Sequence, residues 1–300
     1  MSNYRDATLA GAESKAQEAP TTLQDRSIGN ILVAANSLSA EQVERILAYQ
    51  KSHGTKFGEA AVALGLAKSE DVLWALSQQF HYPYAPGGAK QLSEELVLAS
   101  KPFSHQAEAF RVLRSQINMR LYSGDEPRRA IAVISADSGD GKTFFAANMA
   151  IAFSQLGGRT LLVDGDMRSP RLHEIFGLDN SSGLSGILSG RAEANVIRPV
   201  ADLPSLFVMP VGTLPPNPME LVERPAFGLL MRELVSKFDH VIVDTPAAVY
   251  GADYAVIAAR CGAALALARK NSSRVGAVQE LVATLGNSPA KLAGVIMNEY

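Results

Sequence analysis

The sequence predicts an α/β fold, a parallel sheet covered by helices on both faces and preceded by a small, mainly helical N-terminal domain. Three observations carry that prediction. From about residue 104 onward, short continuous apolar runs alternate with longer helix-like segments, the pattern of a sheet buried on both faces. The first of those runs, "AIAVIS" at 130–135, leads into a Gly-rich turn that ends in Lys142 and Thr143. Residues 28–50 and 57–79 repeat one another at a shift of 29 residues and lack the strand pattern.

Composition limits the function classes. At 300 residues with 47% hydrophobic content, the chain can bury one large core and a small satellite. A net charge of −2 excludes a generally basic surface for a nucleic-acid polymer. The single cysteine, Cys261, excludes an internal disulfide, and the five histidines have no metal-ligand spacing. Both fit a reducing cytoplasm. No apolar run reaches the ~18 residues of a membrane span. Residues 1–22 are polar, lack the apolar stretch of a secretory signal, and read as a disordered leader.

In chain order, the repeat comes first, over residues 23–86. Gly29/Gly58, Val33/Val62, Val43/Val72, Leu47/Leu76 and Gln50/Gln79 coincide without a gap. Asn36 falls opposite Gly65, and both residue types tolerate the left-handed turn that ends a short helix. Ser39 and Gln42 then form a capping box for the next helix. Each half is thus a helix–turn–helix unit, and the two share a core. Residues 87–103, with Gly87-Gly88 and Pro102, read as a linker. The domain at 104–300 has strands predicted at 130–135, 160–164, 206–210, 240–244, 263–268 and 293–297. Helical crossovers are predicted at 142–156, 226–237 and 274–286.

Three polar clusters fall at the carboxyl ends of those strands, where ligands of parallel sheets bind. In the first, Ser138, Gly139, Asp140, Gly141, Lys142 and Thr143 supply backbone N–H groups that wrap a phosphate at a helix N-terminus. Lys142 reaches the β- and γ-phosphates, and the Thr143 hydroxyl is placed to ligate Mg²⁺. The usual first glycine of such a loop is Ala136 here, and position 137 is Asp. The second cluster is Asp164, Asp166 and Arg168. Two carboxylates on one side of an extended chain repel unless a cation lies between them, and Mg²⁺ is the natural candidate. Arg168 offsets the same charge or contacts a phosphate. The third is Asp244, which ends the run "HVIVD" before Pro246 and would hold Mg²⁺ directly or through water.

These motifs give residues 104–300 a resemblance to the bacterial tyrosine kinases of the capsule and exopolysaccharide type. The phosphate loop, the D-x-D-x-R of Asp164, Asp166 and Arg168, and the D-x-P of Asp244 and Pro246 occur in that family's order. The resemblance implies a P-loop NTPase domain that takes ATP and Mg²⁺ and transfers phosphate to tyrosine. Lys142, Asp164, Asp166 and Arg168 would serve catalysis, with Asp164 or Asp166 near the attacking hydroxyl. Thr143, Asp164, Asp166 and Asp244 would hold the metal. Asn298 matches a family position near the adenine base. Glu108, Arg111 and Arg114 match an E-x-x-R-x-x-R helix that joins subunits into a homo-oligomeric ring; local ion pairs at i, i+3 spacing are the alternative. The phosphoacceptor would be the terminal Tyr300, with Tyr4 as rival, while Tyr82, Tyr84, Tyr250 and Tyr254 read as packing residues. The implied partner is a membrane polysaccharide co-polymerase, which would recruit a cytoplasmic chain to the inner face of the membrane.

Two further readings stay open. The second is a non-kinase ATPase switch of the partitioning and division type, against which Asp137 speaks, since those ATPases carry a lysine at that position. The third is a scaffold that senses cyclic di-GMP. The repeat is similar to the N-terminal module of type II secretion and pilus assembly ATPases, some of which bind that dinucleotide, here across residues 26–79. Its arginines are replaced: the halves open "SIG" and "KFG", with Lys56 in the second. A small protein-interaction domain is the other reading of this module.

Overall fold

Alternate side chains along each central strand enter opposite apolar layers, so the sheet itself organises the larger part of the chain. The computed structural model describes residues 27–35, 37–79, 92–124, 127–191, 194–201 and 203–299. It divides into two compact units, residues 1–80 and 81–300.

The smaller unit consists of α1 (Ile28–Ala34), α2 (Ala40–His53), α3 (Phe57–Ala63) and α4 (Ser69–Gln79). The repeat reappears as packing. A β-carbon on Gly29 would lie 3.4 Å from Val43, and one on Gly58 only 2.4 Å from Val72, so each half brings a helix onto its own valine. Leu32, Ile46, Ala60, Ala61 and Ala75 are fully buried between the halves. Ser39 and Gln42 form the capping box, with Gln42 N–H donating to the Ser39 hydroxyl (3.2 Å) and Ser39 N–H to Gln42 Oε1 (2.7 Å). Gly65 takes φ +64° after α3, and its counterpart Asn36 lies outside the described residues.

The larger unit begins with α5 (Val97–Ser100) and α6 (His105–Leu121). It continues through β1 (Ala130–Ser135), α7 (Lys142–Ser154), β2 (Thr160–Asp164), α8 (Leu172–Ile175), α9 (Leu184–Leu188), β3 (Arg198–Val200) and β4 (Leu203–Met209). The last part runs α10 (Pro218–Glu223), α11 (Pro225–Lys237), β5 (His240–Asp244), α12 (Asp253–Cys261), β6 (Gly262–Arg269), α13 (Val275–Gly286) and β7 (Lys291–Asn298). The seven strands lie in the order β3-β4-β2-β5-β1-β6-β7. All pair in parallel except β3, which runs antiparallel to β4 and which the sequence did not suggest.

Ile131, Val133, Leu162, Ile242 and Leu265 enter one apolar layer, and Ala132, Ile134, Leu161, Val163 and Val243 the other. Helix α7 is apolar around its whole circumference and is therefore covered on its outer side too. That cover corrects the reading of 87–103 as a linker. Residues 80–91 lie outside the described residues, but Leu96, Val97, Leu98 and Ala99 are buried in the sheet unit's core. The fully buried Asn148 of α7 holds them there: its Nδ2 donates to the Glu95 carbonyl (2.8 Å) and its Oδ1 accepts from Leu98 N–H (3.3 Å).

Candidate active site

β1, β2 and β5 lie side by side, and their carboxyl ends deliver the predicted clusters to one place. Asp164 and Asp244 are register partners at the ends of β2 and β5, and Val133 of β1 stands level with Asp244. The phosphate loop leaves β1 immediately afterwards and opens α7 at Lys142. Ala136 is not among the residues with positive φ, so the missing first glycine removes nothing that the backbone needs. Gly139 (φ +84°) and Gly141 (φ +94°) are the left-handed positions.

The loop is braced by its own side chains. Asp140 is 1% exposed; its carboxylate accepts from Asp137 N–H (3.1 Å) and from the Ser273 hydroxyl (2.7 Å). Asp140 therefore shapes the loop with its side chain. Asn298 donates to the Asp140 carbonyl (3.0 Å), and a β-carbon on residue 141 would lie 2.3 Å from the Asn298 amide nitrogen. The bond seen for Asn298 thus goes to the phosphate loop. Ser138 and Gly139 are exposed at the loop's mouth. Lys142 is buried, with its ammonium donating to the Ser135 hydroxyl (3.0 Å).

Asp164 is fully buried, and both its oxygens accept backbone N–H groups, from Asp166 (3.2 Å) and Leu172 (3.1 Å). Asp166 collects Arg168 N–H (3.1 Å) and Ser169 N–H (2.9 Å) on Oδ1. The chain does not stay extended after Asp164: Gly165 N–H donates to the Asp244 carbonyl and Met167 N–H turns back to Gly165. Burial and then the neighbouring Asp244 charge push the Asp164 carboxyl well above the usual range. Burial also pushes Asp244 up to about 7, against the opposing pull of the Thr143 hydroxyl and the Lys142 ammonium. Two such acids cannot both ionise cheaply without a cation.

These residues fit Mg²⁺. Asp244 Oδ1 accepts from Thr245 N–H, whereas its buried Oδ2 has no hydrogen-bond partner, and the Thr143 hydroxyl stands beside this carboxylate. Two hard oxygen donors next to a phosphate cradle suit a cation that takes its remaining ligands from phosphate and water. Among the described residues, no three acidic, His or Cys side chains form a metal cage by themselves.

One residue was missed by the sequence reading. Asp253, at the start of α12, accepts from Arg168 Nη2 at both carboxylate oxygens (3.2 and 2.9 Å). The two lie 85 positions apart, and nothing in the local text pairs them. Other expected residues lie apart from the site. Arg111 pairs with Glu108 (2.9 Å) and also donates to the Pro102 carbonyl, while Arg114 donates to the Ala152 carbonyl (2.7 Å). Tyr254 is buried as expected, but Tyr250 is 47% exposed and is not a packing residue. Tyr4, Tyr82, Tyr84 and Tyr300 lie outside the described residues. In the smaller unit, the groove that holds Lys56 is lined mainly by apolar side chains such as Ile28, Phe57, Val62 and Leu76. That lining gives no support to cyclic di-GMP.

Residues 131–300 match the CobQ/CobB/MinD/ParA nucleotide-binding domain family. The chain is 31% identical over 213 residues to the putative tyrosine-protein kinase CapB of Staphylococcus aureus, covering 70% of this chain and 91% of that protein. It is 32% identical over 213 residues to the tyrosine-protein kinase Wzc of Salmonella typhi, of which it spans 29%. Among solved structures, the chimerical protein CapA2B2 superposes with a TM-score of 0.64 at 31% identity, covering 75% of this chain and 97% of that one. The chain belongs to the CobQ/CobB/MinD/ParA nucleotide-binding family and, within it, to the bacterial tyrosine kinases.

Proposed function

We propose that this tyrosine kinase transfers the γ-phosphoryl group of ATP to tyrosines of its own kind and thereby regulates exopolysaccharide chain length, polymerisation or export. The observation that carries the chemistry is the register pairing of Asp164 with Asp244 at adjacent strand ends, with the buried Lys142 beside them at the start of α7. The names of the relatives, CapB and Wzc among them, support the kinase reading, and the polysaccharide role extends from it.

The backbone N–H groups of residues 138–143 hold the phosphates at the N-terminus of α7. Lys142 exchanges its contact with Ser135 for the β- and γ-phosphates and follows the charge as it moves. Thr143 and Asp244 supply protein oxygens for Mg²⁺, which when bound offsets the phosphate charge. Asp164, fixed by two backbone amides, holds the shape of the turn. Asp166 has its hydrogen bonds on Oδ1, which leaves Oδ2 for the acceptor hydroxyl and its proton. In this reading Arg168, which follows Asp166 by two residues and is held by Asp253, contacts the transferring phosphoryl group. Positioning and charge supply most of the catalysis in such a site.

Among the described residues, no helix is long and apolar enough to cross a membrane. In this proposal the kinase works in the cytoplasm and meets the inner membrane face through a polysaccharide co-polymerase. Incubation with labelled ATP and Mg²⁺, followed by phosphopeptide mapping, tests the reading. Phosphate on Tyr300 is expected; phosphate on Tyr4 alone moves the acceptor to the other end of the chain. Release to water with none on any tyrosine would favour the ATPase switch.

A further inference from the structure

The contact between Arg168 and Asp253 joins two segments that both lead away from the phosphate site. Arg168 follows the paired acids after β2, and Asp253 follows the turn after Asp244 and β5. Arg168 is one-third exposed, whereas the Asp253 side chain is 3% exposed. A carboxylate so buried needs a charged or dipolar partner. It has both, since it lies in the first turn of α12, where the helix N-terminus favours negative charge, and it takes Arg168 Nη2 on both oxygens. The preceding turn is shaped around this pair. Gly251 has φ +142°, and a β-carbon there would lie 3.1 Å from Asp253 Oδ2 and 3.6 Å from Arg168 Nη2. Any larger residue would crowd the contact and strain the backbone as well.

We infer that Asp253 is a positioning residue for phosphoryl transfer: it fixes one guanidinium nitrogen of Arg168 so that the rest of the fork faces the transferring phosphate. The inference rests on the reading of Arg168 as a phosphate-facing side chain. An arginine has five donors in a rigid plane, and anchoring one nitrogen sets the direction of the others. A free arginine on a loop would have to be ordered at each turnover, at a cost in side-chain entropy. Anchoring in advance moves that cost into folding. The same bond ties the exit of β2 to the exit of β5, so the two acid-bearing strand ends keep one spacing. Gly251 is then required because the pair occupies the space that its side chain would take.

The test is a double-mutant cycle on the full chain with Asp253→Asn, Arg168→Met and the two combined. Phosphotyrosine formation and phosphate release from ATP are both measured, because Arg168 acts on the phosphoryl group whichever acceptor takes it. Asp253→Asn is expected to lower kcat about 10- to 100-fold, the loss typical of a misplaced reacting group, while KM for ATP changes by no more than about threefold. The combined variant is expected to be no slower than Arg168→Met alone, since Asp253 acts only through Arg168. Should Asp253→Asn unfold, Asp253→Glu replaces it: the added methylene displaces the guanidinium and predicts the same loss in kcat in a folded protein. Losses that multiply in the combined variant would overturn the inference, as would parental kcat in a folded Asp253 variant. If the parent releases phosphate but labels no tyrosine, the kinase reading fails, and the cycle still decides the role of Asp253 from phosphate release.

Discussion

At the residue scale, the site sets two buried carboxyl groups side by side, which only a proton or a cation can relieve. Asp164 and Asp244 end adjacent strands, fully buried, with raised proton affinities. In the folded protein Asp244 keeps its proton up to about pH 7, while in the unfolded chain it has lost it by about pH 4. A folded-state pKa above the unfolded one contributes stability that is present at low pH and is lost as pH rises through the folded value. Mg²⁺-free protein should therefore melt at a lower temperature at pH 8 than at pH 6. Asp244→Asn should flatten that slope and raise stability at pH 8 by on the order of 2 kcal/mol while lowering phosphotransfer, as thermal melts and labelled ATP will show. A variant less stable than the parent at pH 8 would mean that the Asp244 charge is already compensated within the protein. The convergence of Asp164, Asp244 and Lys142 was legible because their segments leave adjacent parallel strands at the same end. Asp253 was not, because its partner lies 85 positions away and only the fold brings them together.

At the scale of elements, the strands that carry the site were legible because their apolar runs are continuous and end in acids. The bounds of β1, β2 and β5 coincide with the runs at 130–135, 160–164 and 240–244. β3 was missed because it is three residues long, contains Pro199 and lies at the edge of the sheet. The apparent linker failed for a different reason. Gly87-Gly88 and Pro102 read as breaks in the sequence, but the apolar "LVLAS" between them joins α6 in covering the outer side of α7. Asn148 is the fastener, and removing it leaves the Leu98 N–H and the Glu95 carbonyl buried without their partner. Asn148→Ala is expected to cost about 2–4 kcal/mol, read as a lower urea midpoint. A change below about 0.5 kcal/mol would mean that residues 95–98 are held by their apolar contacts alone.

At the scale of the whole molecule, the smaller unit is held together by its repeat: the Gly29–Val43 and Gly58–Val72 contacts are the same contact made twice. In the larger unit, α6 is the helix whose Glu108, Arg111 and Arg114 are proposed to join subunits. Arg114 caps the end of α7 through the Ala152 carbonyl, so its removal would weaken the fold and confuse a test of association. Glu108 is the better probe, since its side chain is 64% exposed. If α6 joins subunits, Glu108→Arg should reduce the particle mass in light scattering with an unchanged melting temperature. An unchanged mass would leave Glu108 and Arg111 as a local surface pair. The central claim, that the loop at 136–143 and the acids beside it transfer phosphate from ATP to tyrosine, is tested most directly by phosphotyrosine formation in the parent and in Lys142→Met, with labelled ATP and Mg²⁺. The account predicts phosphotyrosine in the parent and a loss of about 100-fold or more in a variant that melts like the parent. A folded Lys142→Met protein that labels tyrosine at the parental rate would contradict it.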